Sequence, residues 1–400
     1  MKRRLVTGLL ALALVTLSGS LAAQPCRVGQ GLGATMLIPY FEVDTANPSG
    51  ITTLFSVNNE FNGVTAARVV LWTDMGIPTL GFDLFLEPRD LQSINVRDLF
   101  NGVVPSTGGS SDLTQIPFCS SPTFTPVHVN PVLTATEIGK LRAAHRGFQD
   151  PVTNLCSGAP YKDSIARGYI TIDVVDECSG IEYGKRFTPA DTDFPYFIDG
   201  DGGIGEASNR LWGDFFIVNP GENFAQGSEA VSIWSDPTLF AGPNEFTFYG
   251  RFDGFTAQDD RAPLPDLWSS RFLTGGAFSG GTDFIVWRDP GTPEADQFAC
   301  FGGQPSWFPL NTSFVTARNE AGADPDFITN FPLMALATQR FSADEFDFNY
   351  NNGRVQFGFA DGPNLQNHRQ AWLQTVFSAE NRYSLGLNGI PVNSLCNVAP

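Results

Sequence analysis

Histidine and lysine are scarce in this chain, and the short motifs that mark the common enzyme classes are missing. Its 3 histidines, His128, His145 and His368, lie far apart, and no His-Glu-x-x-His pair exists to hold a catalytic zinc. No Gly-x-Ser-x-Gly elbow occurs; Ser279, in Ala277-Phe278-Ser279-Gly280-Gly281, comes nearest but lacks the strand-to-helix turn that exposes a nucleophile. No glycine-rich loop ends in Lys-Ser or Lys-Thr, so there is no cradle for phosphate. The 6 cysteines form no Cys-x-x-Cys pair, which excludes zinc-ribbon and thioredoxin-like readings. Beyond residue 23 no apolar run approaches the roughly 18 residues a spanning helix needs. Prolines interrupt the chain too often for the repeated strands of about ten residues that build an outer-membrane barrel. No residue is assigned a catalytic role on this basis.

Positive charge is scarce as well. The chain has 24 basic against 42 acidic side chains, a net charge of −18. A field of that sign repels nucleic acid and anionic lipid, while leaving divalent cations and cationic partners open. Charged residues make up only 16%, against a usual value of about 25%. In their place stand 35 phenylalanines, 41 glycines and 28 prolines. Aromatic and β-branched residues separated by turn formers suit short strands joined by tight turns.

Residues 1–23, MKRRLVTGLLALALVTLSGSLAA, have the layout of a cleaved secretory signal: Lys2, Arg3 and Arg4, then an apolar run, then small residues. Export through the Sec route is expected, leaving the chain periplasmic, at the cell surface or extracellular. Pro25 before Cys26 argues against a lipid anchor on that cysteine. All of Cys26, Cys119, Cys156, Cys178, Cys300 and Cys396 lie beyond the signal, and an even number in an exported chain points to disulfides. Sequence does not choose among the many pairings six cysteines allow. The working assignment joins Cys26 to Cys396, Cys119 to Cys156 and Cys178 to Cys300.

Alternating strand patterns are read at Thr35–Val43, Ile51–Asn58, Ala66–Thr73 and Pro78–Leu86, with turn residues between them. Further strands are expected at Tyr169–Val175, Phe215–Asn219, Glu229–Trp234, Glu245–Phe252, Phe284–Arg288, Val355–Phe359, Trp372–Phe377 and Tyr383–Leu387. One helix is predicted near Ala135–Arg146, where Thr134 and Glu137 form a capping box and Ile138 and Leu141 share a face. A faint repeat links Leu54–Asn58 and Val69–Asp74 with Phe215–Asn219 and Val231–Asp236. The Asn-to-Trp spacing is 14 residues in the first copy (58 to 72) and 15 in the second (219 to 234), and a third Trp-x-Asp box stands at Trp287-Arg288-Asp289. The expected fold class is mostly β: two fused antiparallel β-sandwich units with a short helical insertion. The expected division is a signal at 1–23, a first sandwich at 24–112 and a disulfide-stapled helical insertion at 113–165. A second sandwich with an acidic loop follows at 166–290, and a C-terminal β and loop region at 291–400 packs on both. Trp72 and Trp234 are expected to face inward.

Calcium is the one metal the sequence argues for. Asp191, Asp193, Asp199, Asp201 and Glu206 crowd DTDFPYFIDGDGGIGE, where carboxylates sit beside glycine-rich backbone that bends freely around a hard cation. The spacing departs from an EF-hand, and a solvated acidic loop is the alternative. Trp268, in Pro265-Asp266-Leu267-Trp268-Ser269, and Trp307, in Pro305-Ser306-Trp307-Phe308-Pro309, fall in expected loops and are the candidates for stacking on carbohydrate. The other tryptophans read as core.

The segments LIPYFEVD, TTLFSVNN, VVLWTDMGIPT, WGDFFIVNP and NFAQGSEAVSIW resemble a family of exported bacterial proteins with β-sandwich-like repeats and no assigned function. The resemblance spans most of the chain past the signal and implies export, without supplying a catalytic residue. The expected role is therefore non-catalytic: surface structure, adhesion or ligand binding, with carbohydrate or another cell-surface protein as partner. Recognition is expected from the loops near 179–208, 254–282 and 291–312. The alternative is a secreted carbohydrate-active hydrolase using an Asp/Glu pair. That enzyme needs two carboxylates about 5–10 Å apart in a cleft beneath exposed tryptophan.

Overall fold

The computed structural model describes residues 31–105, 133–148, 155–175, 182–183, 205–235, 247–249, 261–290, 298–299, 314–320, 326–328, 336–346, 351–359, 370–380 and 382–392. In chain order the strands are β1 (Thr35–Asp44), β2 (Thr52–Asn59), β3 (Thr65–Thr73), β4 (Pro78–Leu86), β5 (Leu91–Asn95), β6 (Leu155–Cys156), β7 (Ile165–Val175) and β8 (Glu182–Tyr183). They continue with β9 (Leu211–Trp212), β10 (Asp214–Asn219), β11 (Phe224–Glu229), β12 (Val231–Ile233), β13 (Leu267–Leu273), β14 (Thr282–Arg288) and β15 (Phe298–Ala299). The last are β16 (Phe314–Arg318), β17 (Asp326–Ile328), β18 (Thr338–Ser342), β19 (Asn352–Gly358), β20 (Ala371–Ala379), β21 (Tyr383–Asn388) and β22 (Ile390–Pro391). The described helices are short: Val96–Phe100, Ala135–His145 and two single 3₁₀ turns. The protein is mostly β, built as two fused sandwich-like units with a helical insertion.

The first sandwich faces a six-stranded sheet, β12-β1-β7-β3-β4-β8, against a sheet ordered β11-β10-β2-β5 with β9 also on β2. One face of the six-stranded sheet presents Met36, Ile38, Val69, Leu71, Leu80, Phe82 and Ile172 to Phe55, Val57, Phe215 and Ile217. Its other face presents Leu37, Val70, Trp72 and Tyr169 to Phe248, Leu264 and Trp287 from the second half of the chain. Both faces are covered, so β3 is buried at every position. This accounts for its nearly continuous apolar run, which departs from the alternation of a one-sided strand. The second sandwich pairs a sheet ordered β17-β16-β19-β13-β22 with one ordered β18-β14-β20-β21.

The division of the chain differs from expectation. Strand β7 pairs with both β1 and β3, and β10 pairs with β2. Strands β7 to β12 therefore complete the first sandwich, and the second begins at β13. The internal repeat explains the error. Each copy sends its first strand to one sheet (β2, β10) and its second to the facing sheet (β3, β12), so both copies build a single sandwich. The third Trp-x-Asp box, at the end of β14, meets the first across Tyr169, which stacks on Trp72 at 5.7 Å and takes the edge of Trp287 at 5.9 Å. Thr247–Tyr249, the described part of the expected strand Glu245–Phe252, is a turn.

The helix Ala135–His145 begins at Thr134, whose hydroxyl accepts from the Glu137 amide while the Glu137 carboxylate accepts from the Thr134 amide. Leu141 and His145 are its buried residues. Arg142 anchors it further, donating to the Phe100 carbonyl and to Asn101 at 2.9 and 2.7 Å. Cys156 on β6, opposite Phe298 of β15, is disulfide-bonded. The other five cysteines, and hence the working pairing, lie outside the described residues, as does the signal segment 1–23.

Candidate functional site

Two clusters of charged side chains converge where the sandwiches meet. The first is a rung running straight across four strands: Thr35 on β1 lies opposite Asp173 on β7, Asp173 opposite Arg68 on β3, and Arg68 opposite Asp83 on β4. Registered neighbours share a face, and this face looks toward the second sandwich. Thr35 donates its hydroxyl proton to Asp173, and Tyr249 donates to the same carboxylate, 2.7 Å from each oxygen. Arg261 stands 3.5 Å from Asp173 and also donates to the Glu206 carbonyl. Arg68 donates to Asp83 at 3.1 Å. Two carboxylates thus meet two guanidiniums with almost no solvent contact. Buried charges persist only when paired and hydrogen-bonded in this way.

The second cluster is half-buried and reaches solvent. Arg340 on β18 donates to Asp283 of β14 at 2.6 and 2.8 Å and to Glu42 of β1 at 3.4 Å. Tyr40 donates to the other Glu42 oxygen at 2.8 Å, and Arg167 of β7 approaches it at 3.8 Å. Arg167 also grips Asp163 with two nitrogens, at 3.0 and 2.8 Å. Each arginine lies over an aromatic ring, Arg340 over Phe224 and Arg167 over Tyr161. Burial works to raise the Asp163 carboxyl, but the Arg167 hydrogen bonds, the Ile165 amide and the Arg167 and Arg146 charges together hold the group below its ordinary value. Burial raises the Tyr40 phenol well above its ordinary range, helped by the negative Glu42 beside it. Glu42 and Asp283 are both engaged in hydrogen bonds to Arg340.

Two titratable groups sit fully inside. Burial pushes the Asp74 carboxyl up to about 7, against the Ala159 amide that donates to it. The Asp74 carbonyl accepts from Ala337 and Thr338, so one residue ties the loop after Cys156 to the entrance of β18. Burial pulls the His145 imidazole down to about 4. Its Nδ1 faces the Arg167 carbonyl at 2.9 Å, and its Nε2 stands 2.7 Å from the Thr79 hydroxyl, which donates to the Leu71 carbonyl.

The predicted site residues fare differently. Trp268 is not a loop residue on a ligand surface. It lies on β13, fully buried, packs against Trp372 at 4.9 Å and donates its indole N–H to the Pro265 carbonyl. The preceding prolines mark the entry to a strand here, and the ring is core. Trp307 lies outside the described residues, as do Asp191, Asp193, Asp199 and Asp201. Glu206, the one described member of the acidic cluster, gives its carboxylate to Arg210 at 2.7 Å and to Ser208 at 2.6 Å. Among the described residues no group of three or more His, Cys, Asp and Glu side chains is placed to hold a metal ion. Trp72 is buried at 3% exposure and Trp234 is partly buried, in line with their expected inward orientation. Trp212, which the sequence did not single out, is half-exposed and donates to Glu60 at 2.9 Å. No helix among the described residues is long and apolar enough to cross a membrane.

Comparison with protein-family models, with curated proteins and with solved structures found no match to this chain.

Proposed function

We propose that this is an exported, non-catalytic β protein whose role is surface structure, adhesion or ligand binding. The supporting observation is how its aromatic and acidic side chains are used. Trp72, Trp268, Trp287 and Trp372 are all buried in the second core cluster. The carboxylates at the joint, Glu42, Asp163, Asp283, Asp83 and Asp173, are each matched to arginine. A hydrolase acting on sugar needs the reverse, with tryptophan exposed as a platform and a carboxylic acid free to give up its proton. Here these four tryptophans fill a core and these five carboxylates are bound to arginine. Export rests on the signal-like segment 1–23 and on the resemblance to exported bacterial proteins.

The test joins fractionation with an activity assay. Full-length protein expressed in a bacterial host should appear outside the cytoplasm, shortened by about the length of a signal segment. The purified protein should release no reducing ends from a panel of polysaccharides. Cytoplasmic retention of the unshortened chain overturns export, and sugar release that disappears in Glu42→Gln or Asp283→Asn overturns the non-catalytic reading.

A further inference from the structure

Among the described residues strand β21 ends its sheet, with β20 as its one strand neighbour. Its residues alternate Tyr383, Leu385 and Leu387 with Ser384, Gly386 and Asn388. The first set lies opposite Ala379, Phe377 and Thr375 of β20 and so shares the face turned toward the second sandwich's own interior, where Thr375 meets Ser270 of β13. The facing sheet ends in the two-residue β22, which does not cover them. Tyr383, Leu385 and Leu387 are each 48% exposed, and Ile390 and Val392 beside them 69% and 43%.

The opposite face of β21 is fixed. Ser384 donates to the Ala225 carbonyl and Ser228 to Asn388, so the first sandwich holds the strand in place. Natural edge strands are commonly protected by charge, a bulge or proline. β21 has none of these within it. Residues 383–392 carry no charged side chain in a chain of net charge −18.

We propose that β21 is a homodimerisation edge, pairing antiparallel with β21 of a second copy. The argument for this occupant is charge and self-complementarity. Two copies of so acidic a chain repel wherever their charged faces meet, and this strip lets them approach without juxtaposing carboxylates. In an antiparallel pair centred on Leu385, that residue meets its own counterpart and Tyr383 meets Leu387 of the other copy, so every apolar side chain opposes an apolar one. The contact is isologous and closes at two copies.

Sedimentation velocity of the protein purified with its disulfides intact, at about 50 μM in moderate salt, tests this directly. A dimer is expected, and it should tighten as salt rises, because screening weakens the repulsion between like-charged copies. The double variant Leu385→Lys/Leu387→Lys should sediment as a monomer while keeping the wild-type circular dichroism and melting temperature. If that variant folds poorly, Leu387→Lys alone should raise the dimer dissociation constant at least tenfold. A wild-type protein that is monomeric at 50 μM in high salt, or a dimer that survives the lysine substitutions, overturns the proposal.

Discussion

The guanidinium of Arg68 occupies the space a side chain on Gly81 would need: a Cβ there would stand 2.6 Å from Nη2. Gly81 lies on β4, two residues before Asp83, the partner of Arg68. The glycine is what lets a full arginine lie flat inside the joint. Gly81→Ala should therefore cost about 1–3 kcal/mol through overpacking. Asp83→Ala, which removes a buried charge from beside Arg68, should cost about 3–5 kcal/mol. Urea unfolding of both variants, with unchanged m values, checks the order.

Asp74 and His145 give stability opposite slopes with pH. Asp74 rises from 3.8 to about 7 in the fold. Its contribution is complete below pH 3.8 and is lost as pH rises toward 7, on the order of 4 kcal/mol in all. His145 falls from 6.5 to about 4. Its contribution is complete above pH 6.5 and is lost as pH falls toward 4, on the order of 3 kcal/mol. Between pH 4 and 6.5 these two terms largely cancel. Asp74→Asn should expose the histidine slope, so that the variant loses stability faster than wild type on acidification. His145→Gln should do the reverse. Identical pH profiles for the two variants would contradict the assignment.

Gln374 on β20 is fully buried, and neither atom of its amide has a hydrogen-bond partner among the described residues. It lies opposite Ile285, a member of the first core cluster. A buried amide without partners costs about 1–3 kcal/mol, so Gln374→Met should raise the melting temperature by a few degrees. A clear loss of stability would mean that the amide is satisfied.

Trp268 separates a core role from a binding role. Trp268→Ala should cost about 3–5 kcal/mol, as for other large aromatic truncations in a core. Trp268→Phe should recover most of that loss. On a carbohydrate array the two variants should not differ from wild type under conditions where both are folded.

Local chemistry made much of this legible in advance. The capping box at Thr134 and Glu137, the turns that punctuate the first four strands, and the alternation of β21 all act over a few residues. Such signals appear in the sequence wherever they appear in the fold. The candidate clusters were not legible. Thr35, Asp173, Arg68 and Asp83 come from four separate strands, and only register brings them into line. Glu42 and Arg340 are separated by nearly three hundred positions. Trp268 misled because a tryptophan just after a proline looks the same whether the next residues open a loop or a strand.

The sequence by itself determined that the chain is β-rich, acidic and poor in the residues of common catalytic motifs, because composition and short-range spacing set strand propensity and net charge without reference to partners. Tertiary structure decided which strands share a sheet, which carboxylates meet arginine, and that both copies of the repeat build one sandwich. Those outcomes depend on pairing between distant segments. Pairing is fixed by the burial of whole faces, and no single segment carries that information.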